Sequence, residues 1–236
     1  MERYSIIRDK MPREFVLLQG TGCRWRRCEF CDYHSDVSDD PFEVNRAVLE
    51  QVTGEYGVLD VINSGSAFEL DDRTIELLRR VIVEKKIHTL WCEMHWMYRH
   101  RLEEFRLRIL SLFHTPYFLL PTIKFRCGIE TFDGALRKSW NKGVLEGVTA
   151  EEVARYFQGV CLLCCTEGET RERIVRDIEL ARQNFEYFSV NVFCDNTTKI
   201  KRDPELVEWF VREVYPTIKD DPRIEVLIDN TDLGVG

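Results

Sequence analysis

The stretch Phe15-Val16-Leu17-Leu18-Gln19-Gly20-Thr21-Gly22-Cys23-Arg24-Trp25-Arg26-Arg27-Cys28-Glu29-Phe30-Cys31 joins an apolar run to a glycine-led loop carrying three cysteines. A short apolar run bounded by turn residues is the pattern of a buried strand. The chain repeats it. Runs rich in Val, Ile, Leu and Phe lie near 14–18, 58–62, 87–93, 123–129, 159–165 and 186–193, with a further extended run near 223–228. Segments of helical spacing separate them. Asp71 and Asp72 precede Ile75, Leu78 and Ile82 on one face, Thr149 and Glu152 form a capping box, and Glu169-Thr170 opens a helix running to about Asn184. Six strand–helix units in succession predict a parallel sheet with helices outside it. A full eight-unit barrel takes about 250 residues. Six units and a long first loop in 236 residues therefore predict an incomplete one: a partial (β/α)6 TIM-type barrel, as a single domain over 1–236. Its chemistry belongs in loops after the C-terminal ends of the strands, which is where the cysteines fall.

Composition narrows the function classes. With 44% hydrophobic and 31% charged residues the chain can bury one sizeable core. Apolar runs such as Val16-Leu17-Leu18 fall far short of the roughly 18 residues of a membrane span. Met1-Glu2-Arg3-Tyr4-Ser5 lacks the apolar segment of a secretory signal, so a cytoplasmic protein with no membrane partner is expected. Cysteines number nine. Cys92, Cys127, Cys161, Cys164, Cys165 and Cys194 sit in apolar, strand-like surroundings, as reduced thiols do. A net charge of −8 argues against nucleic acid as partner, because neutralising phosphates needs a basic face. Arg24, Arg26 and Arg27 form a local basic run, read either as a solvated loop or as compensation for an anionic cluster beside it.

Cys23, Cys28 and Cys31 make a Cys-x4-Cys-x2-Cys run. Three thiolates hold three irons of a cubane and leave the fourth iron open, whereas closed electron-transfer clusters take four cysteines. Two other readings stand beside this one. With His34 the three cysteines make a Cys3His zinc set. A plant-type ferredoxin centre shares the spacing but needs a fourth exposed cysteine, and the next one, Cys92, falls in an expected buried strand.

The loop resembles the cluster loop of the radical S-adenosylmethionine superfamily, usually Cys-x3-Cys-x-aromatic-Cys, here with one extra residue between Cys23 and Cys28 and with Phe30 as the aromatic residue at the cofactor. Later strand ends extend the resemblance. Asn63-Ser64-Gly65-Ser66 stands where the family has a Gly-Gly-Glu segment at the methionyl amino group, in a form similar to the elongator catalytic subunit and archaeosine synthase branch. Glu93, in Trp91-Cys92-Glu93, takes the position of a ribose-binding carboxylate. Gly128-Ile129-Glu130-Thr131 followed by Asn141-Lys142-Gly143 is similar to the family's Gly-x-Glu-Thr and Asn-Lys-Gly pair, which implies that Glu130 lies at the cofactor and that Lys142 binds the methionine carboxylate. Cys164 to Thr170 keeps only the Glu-Thr end of a Gly-x-Pro-x-Glu-Thr turn, and a helix cap equally accounts for Glu169.

The resemblance, running from about residue 14 to about 203, implies a 4Fe-4S cluster, S-adenosylmethionine as cofactor and an external one-electron reductant. An electron cleaves the bond from sulfur to the 5′ carbon, and the 5′-deoxyadenosyl radical takes a hydrogen atom from the substrate. His95 and Asp32 lie near strand ends as acid/base candidates, although a lone histidine more often satisfies a local hydrogen bond; no catalytic residue is assigned. Small size and branch imply a lyase acting on a 7-deazaguanine such as queuine, a modified purine-type base. His95, Asp195, Asn196, Asn230 and Asp232 are the candidates for contacting it, with Asp229 beside them, and turn capping explains the late carboxylates and amides equally well. A radical enzyme modifying tRNA or a peptide, anchored by the Arg24–Arg27 run, and a non-enzymatic zinc-binding or electron-transfer module remain the alternatives.

Overall fold

The structure, a computed structural model, describes residues 2–111 and 120–229; Asn230 and Asp232 lie outside the described residues. Strands β1 (Tyr4–Ile7), β2 (Arg13–Leu18), β3 (Val58–Asn63), β4 (Thr89–Glu93), β5 (Thr122–Glu130), β6 (Gly159–Cys164), β7 (Tyr187–Val192) and β8 (Ile224–Leu227) follow one another in chain order through one eight-stranded sheet. Parallel pairing joins β2 to β3, β3 to β4 and β4 to β5, and likewise β6 to β7 and β7 to β8. Parallel neighbours need a crossover, and helices supply it: α1 (Pro41–Leu49), α2 (Asp72–Glu84), α3 (Leu102–Leu110), α4 (Gly134–Ser139) with α5 (Ala150–Ala154), α6 (Arg171–Asn184), and α7 (Pro204–Trp209) with α8 (Tyr215–Ile218). The fold class is the partial TIM-type (β/α) barrel that the alternation predicts. Each expected strand is present, with ends moved by no more than two residues. The unforeseen element is β1, antiparallel to β2, whose four half-buried residues carry no clear alternation. Among the described residues no helix is long and apolar enough to cross a membrane.

Local signals start the helices where the loops need them to start. Asp71 accepts from the Thr74 N–H at the head of α2, Thr170 from the Arg173 N–H at the head of α6, and Asp203 from the Glu205 and Leu206 N–H groups at the head of α7. Pro41 and Pro204 fill the first turns of α1 and α7, where a missing N–H costs nothing. Ile75, Leu78, Val81 and Ile82 bury one face of α2, and Ile174, Ile178 and Ala181 one face of α6.

The chain packs as two compact units, Glu2–Arg26 with Tyr33–Arg126, and Arg27–Asp32 with Cys127–Gly236. The first is organised around Asp60, in the middle of β3. Arg13 Nε of β2 donates to its Oδ2 at 2.9 Å, and Arg126 of β5 donates to both oxygens at 3.0 Å. All three side chains are buried. Burial alone would push the Asp60 carboxyl up, but the two guanidiniums, Arg126 first, hold it below its usual range.

In the second unit two buried carboxyls, Asp177 and Glu169, have only uncharged hydrogen-bond partners. Asp177 of α6 accepts from Thr131 Oγ1 and, at 2.9 Å, from the Phe132 N–H. Glu169 Oε2 accepts from the Thr166 N–H at 3.1 Å, while Glu169 Oε1 has no partner. Burial pushes Glu169 up to about 8 and Asp177 up to about 6.

Asp60→Ala removes the carboxylate shared by two buried guanidiniums and is expected to destabilise the protein by about 3–5 kcal/mol, read as a lower urea midpoint. Asn at this position keeps one acceptor and is expected to cost less. The raised carboxyls set a pH dependence of known sign. Glu169 binds its proton more tightly folded (about 8) than unfolded (4.5), so its contribution to stability is full below about pH 4.5 and is lost as pH rises towards about 8. Urea midpoints measured from pH 5 to pH 8 are expected to fall less steeply for Glu169→Gln than for the wild type.

Candidate cofactor site

In the second unit the site is built on two left-handed residues. Glu130, the last residue of β5, has φ 68° and Asn141 φ 53°, and Gly143 closes the turn at φ 76°. This region suits glycine, tolerates asparagine and strains a glutamate by about 1–3 kcal/mol. The result is a contact: Lys142 Nζ donates to Glu130 Oε1 at 2.6 Å, both side chains being buried. Burial alone would push the Lys142 ammonium down; the Glu130 carboxylate, and after it Cys28, hold it well above the usual lysine range. The same ammonium lies 5.3 Å from the centre of the Phe30 ring.

Phe30 is buried with Leu136, Trp140, Leu163 and Phe193, and Cys28 and Cys31 pack against that cluster. The cysteine segment is also pinned by its backbone. The Cys31 N–H donates to the Cys28 carbonyl at 3.3 Å and the Glu29 N–H to the Trp140 carbonyl at 2.9 Å. Asn196 Nδ2 donates to the Phe30 carbonyl at 2.7 Å. Thr197 donates twice to Asp32 Oδ2, from N–H at 3.1 Å and from Oγ1 at 2.8 Å.

In the first unit Cys23 stands beside the segment after β3. Its loop is held at its start by Asn45, which accepts from the Gln19 N–H at 2.6 Å and donates to the Gln19 carbonyl at 2.7 Å. A Cβ on Gly65 would come within 2.9 Å of Cys23 Cα, so glycine is what lets the two segments approach. Glu69 ties them together: one oxygen accepts from the Arg24 N–H at 3.1 Å and from Tyr98 Oη at 2.8 Å, the other from the Ser66 N–H at 2.9 Å. Ser66 Oγ accepts from the His95 N–H at 2.9 Å. Ser64 Oγ, on a residue 1% exposed, and Asn63 Oδ1 have no partner among the described residues. A cavity of ≈ 440 Å³ opens here, lined by Thr21, Arg24, Arg26, Phe68, Glu69 and Tyr98 among others.

The expected residues thus gather on each unit: Cys23, Ser64, Gly65 and Ser66 on the first, with Cys28, Phe30, Cys31, Glu130 and Lys142 on the second. Glu93 is half-buried at the end of β4, its Oε2 3.6 Å from Arg126 Nε. His95 stacks on Trp25 with ring centres 5.7 Å apart, and its Nδ1 accepts from the Met97 N–H. Asp195 accepts from the Arg202 N–H, and Asn196 Oδ1 accepts from the N–H and Oγ1 of Thr198, so both amino acids order the loop after β7. Glu69 and Asn45 were not among the sequence candidates. The Ser66-x-x-Glu69 spacing is a signal for the first; nothing local marks the second.

The donor set fits an iron–sulfur cluster. None of the nine cysteines is in a disulfide; Cys23, Cys28, Cys31 and Cys194 are half-buried, whereas Cys92, Cys127, Cys161, Cys164 and Cys165 are buried. A cubane asks for one thiolate per iron, and thiols are what this loop offers; among the described residues no three Cys, His, Asp or Glu side chains converge as the ligands of one ion would. The unpartnered Ser64 hydroxyl and the glycine at residue 65 leave a polar cradle beside Cys23 for a bound group.

Neither protein-family models nor curated proteins give a match to this chain. Solved structures do. A queuine lyase from Clostridium spiroforme, solved bound to S-adenosylmethionine and queuine, is 39% identical, with a TM-score of 0.89 over 100% of this chain and 99% of that one. SuiB of Streptococcus suis bound to S-adenosylmethionine is 18% identical, with a TM-score of 0.53 over 90% of this chain and 49% of that one, and shows the shared fold. At that identity over its full length, the chain belongs to the family of the queuine lyase, and it is a radical S-adenosylmethionine enzyme.

Proposed function

We propose that this enzyme is a queuine lyase that holds a 4Fe-4S cluster on Cys23, Cys28 and Cys31, binds S-adenosylmethionine and releases 7-aminomethyl-7-deazaguanine from queuine. The reading rests on the full-length likeness to the Clostridium spiroforme enzyme, and the half-buried thiols of the Cys23–Cys31 loop agree with it. When bound, the cluster and S-adenosylmethionine supply the radical that removes a hydrogen atom from the substrate.

The protein's own residues hold and orient. Lys142, kept charged by Glu130, offers a buried cation to the methionine carboxylate. Ser64, Gly65 and Ser66 offer the methionyl amino group a hydroxyl without a partner and a segment free of side-chain bulk. Glu93 keeps a half-exposed carboxylate at a strand end for the ribose hydroxyls. Phe30 fixes Cys28 and Cys31 by packing. His95, Asp195 and Asn196 are assigned to the substrate side, the last two by ordering the loop after β7 rather than through their side-chain oxygens. All of this belongs to one radical-enzyme domain over 1–236.

A net charge of −8 favours an uncharged-ring base over a polyanion such as tRNA. An external one-electron reductant completes the set of partners. Nine cysteines without a disulfide suit the reducing cytoplasm assigned to the protein.

Anaerobically reconstituted protein is expected to be brown and to bind about four irons. Cys23→Ala, Cys28→Ala and Cys31→Ala should each lose that colour and iron, whereas Cys161→Ala and Cys194→Ala should keep them. Stoichiometric zinc with no visible absorbance would overturn the cluster assignment.

Given S-adenosylmethionine and dithionite, the reconstituted enzyme is expected to consume queuine and release 7-aminomethyl-7-deazaguanine, followed by chromatography and mass spectrometry. Titration calorimetry with queuine and with a tRNA transcript separates the substrate classes: tight tRNA binding without queuine binding would reject the small-molecule reading.

A further inference from the structure

β7 alternates strictly. Phe188, Val190 and Val192 are fully buried on one face, and Tyr187, Ser189 and Asn191 lie on the other. Asn191, the penultimate residue of the strand, is 4% exposed, and its Oδ1 has no hydrogen-bond partner among the described residues. A buried amide oxygen left unpaired costs about 1–3 kcal/mol. Native proteins leave such groups where a ligand or an ordered water completes them.

The register shows which side of the sheet this oxygen occupies. Leu163 of β6 and Leu227 of β8 are the direct neighbours of Asn191, and side chains of registered partners stand on the same face. Leu163 packs in the cluster that holds Phe30, against which Cys28 and Cys31 rest. Asn191 is therefore on the cysteine-loop side, about 5 Å across the sheet from Leu163, at the strand end where ligands bind in this fold. Two leucines flanking one buried acceptor offer apolar contact for the faces of a flat ring and one hydrogen-bond acceptor for its edge.

We infer that Asn191 is a specificity-determining residue for the substrate base, its Oδ1 accepting from the 2-amino group on the guanine-like edge of the 7-deazapurine. The inference rests on the 7-deazaguanine reading given above and adds the residue that tells this base from a purine lacking the amino group. Glu169, the other residue of this unit with a buried carboxyl or amide oxygen that lacks a partner among the described residues, lies after β6 in the turn heading α6 and is held there through Thr166. Asp195 and Asn196 already spend their oxygens on the loop after β7.

The test uses reconstituted protein and calorimetric titration with queuine, 7-deazaguanine, 7-deazahypoxanthine and S-adenosylmethionine. Wild-type protein should bind 7-deazaguanine more tightly than 7-deazahypoxanthine, which lacks only the 2-amino group, by roughly 10- to 100-fold. Asn191→Leu should weaken queuine binding by roughly the same factor, abolish the preference between the two deazapurines and leave S-adenosylmethionine affinity unchanged. Its ligand-free melting temperature should equal or exceed the wild type's, because an unpartnered acceptor has been replaced by an apolar group of similar size. Equal wild-type affinity for the two deazapurines would overturn the inference without any variant. So would an Asn191→Leu protein that keeps its queuine affinity, or one that loses S-adenosylmethionine instead. Wild-type protein that binds S-adenosylmethionine but no deazapurine would overturn the substrate reading together with this one, whereas queuine binding with no dependence on Asn191 would overturn this one alone.

Discussion

Parallel pairing is the constraint from which the rest of this structure follows. Strands that run the same way cannot be joined by tight turns, so each must be followed by a loop, a helix and a return. Each loop that leaves the C-terminal end of a strand is then free to carry chemistry, because its backbone is not part of the ladder. Cys23, Ser64 to Ser66 and His95 come from three such loops on the first unit, and Lys142 and Asn196 from two on the second. These residues are far apart in the chain, and the ladder is what orders the strands that deliver them.

The two ends of the strands are treated differently in energetic terms. Away from those ends, two buried carboxylates of the sheet are met on both oxygens: Asp60 accepts from both Arg13 and Arg126, and Glu14 of β2 accepts from Tyr4 Oη and from the N–H groups of Thr53 and Gly54. Such networks add little net stability compared with apolar packing, but they penalise any arrangement that breaks them. At the C-terminal ends the pattern reverses. Asn63 Oδ1 and Ser64 Oγ on the first unit, and Glu169 Oε1 and Asn191 Oδ1 on the second, are buried and have no partner among the described residues, and Glu130 of the second unit is held in a left-handed conformation. Unmet hydrogen-bond capacity together with backbone strain, as on the second unit, is the mark of a binding site that lowers stability for the sake of function.

Much of this was legible in the sequence because strand signals are local. Val, Ile, Leu and Phe runs bounded by turn residues gave all the parallel strands to within two residues, since a strand buried on both faces has little choice of composition. The cysteine spacing, Asn63 to Ser66 and Asn141 to Gly143 were equally local, each a loop whose path needs particular residue types. Four half-buried residues that complete an edge, as in β1, carry no such pattern and became a strand only because β2 offered an unpaired side.

What the chain alone determined, then, was the class of fold, the loops that bear chemistry and the thiols that are candidates for iron, because periodicity and spacing act over a few residues. Tertiary structure decided which polar groups are spent and which remain available. Asn191 falls inside the strand that the sequence predicts and Asn196 just beyond it, but neither position tells which partner each amide finds. Folding commits Asn196 to the Phe30 carbonyl and to Thr198 and leaves Asn191 buried with an oxygen unpaired among the described residues. The physical reason is that a hydrogen bond is settled by which partners arrive within about 3 Å, and the acceptor that takes the Asn196 amide, the Phe30 carbonyl, comes from a segment more than 100 residues away in the chain.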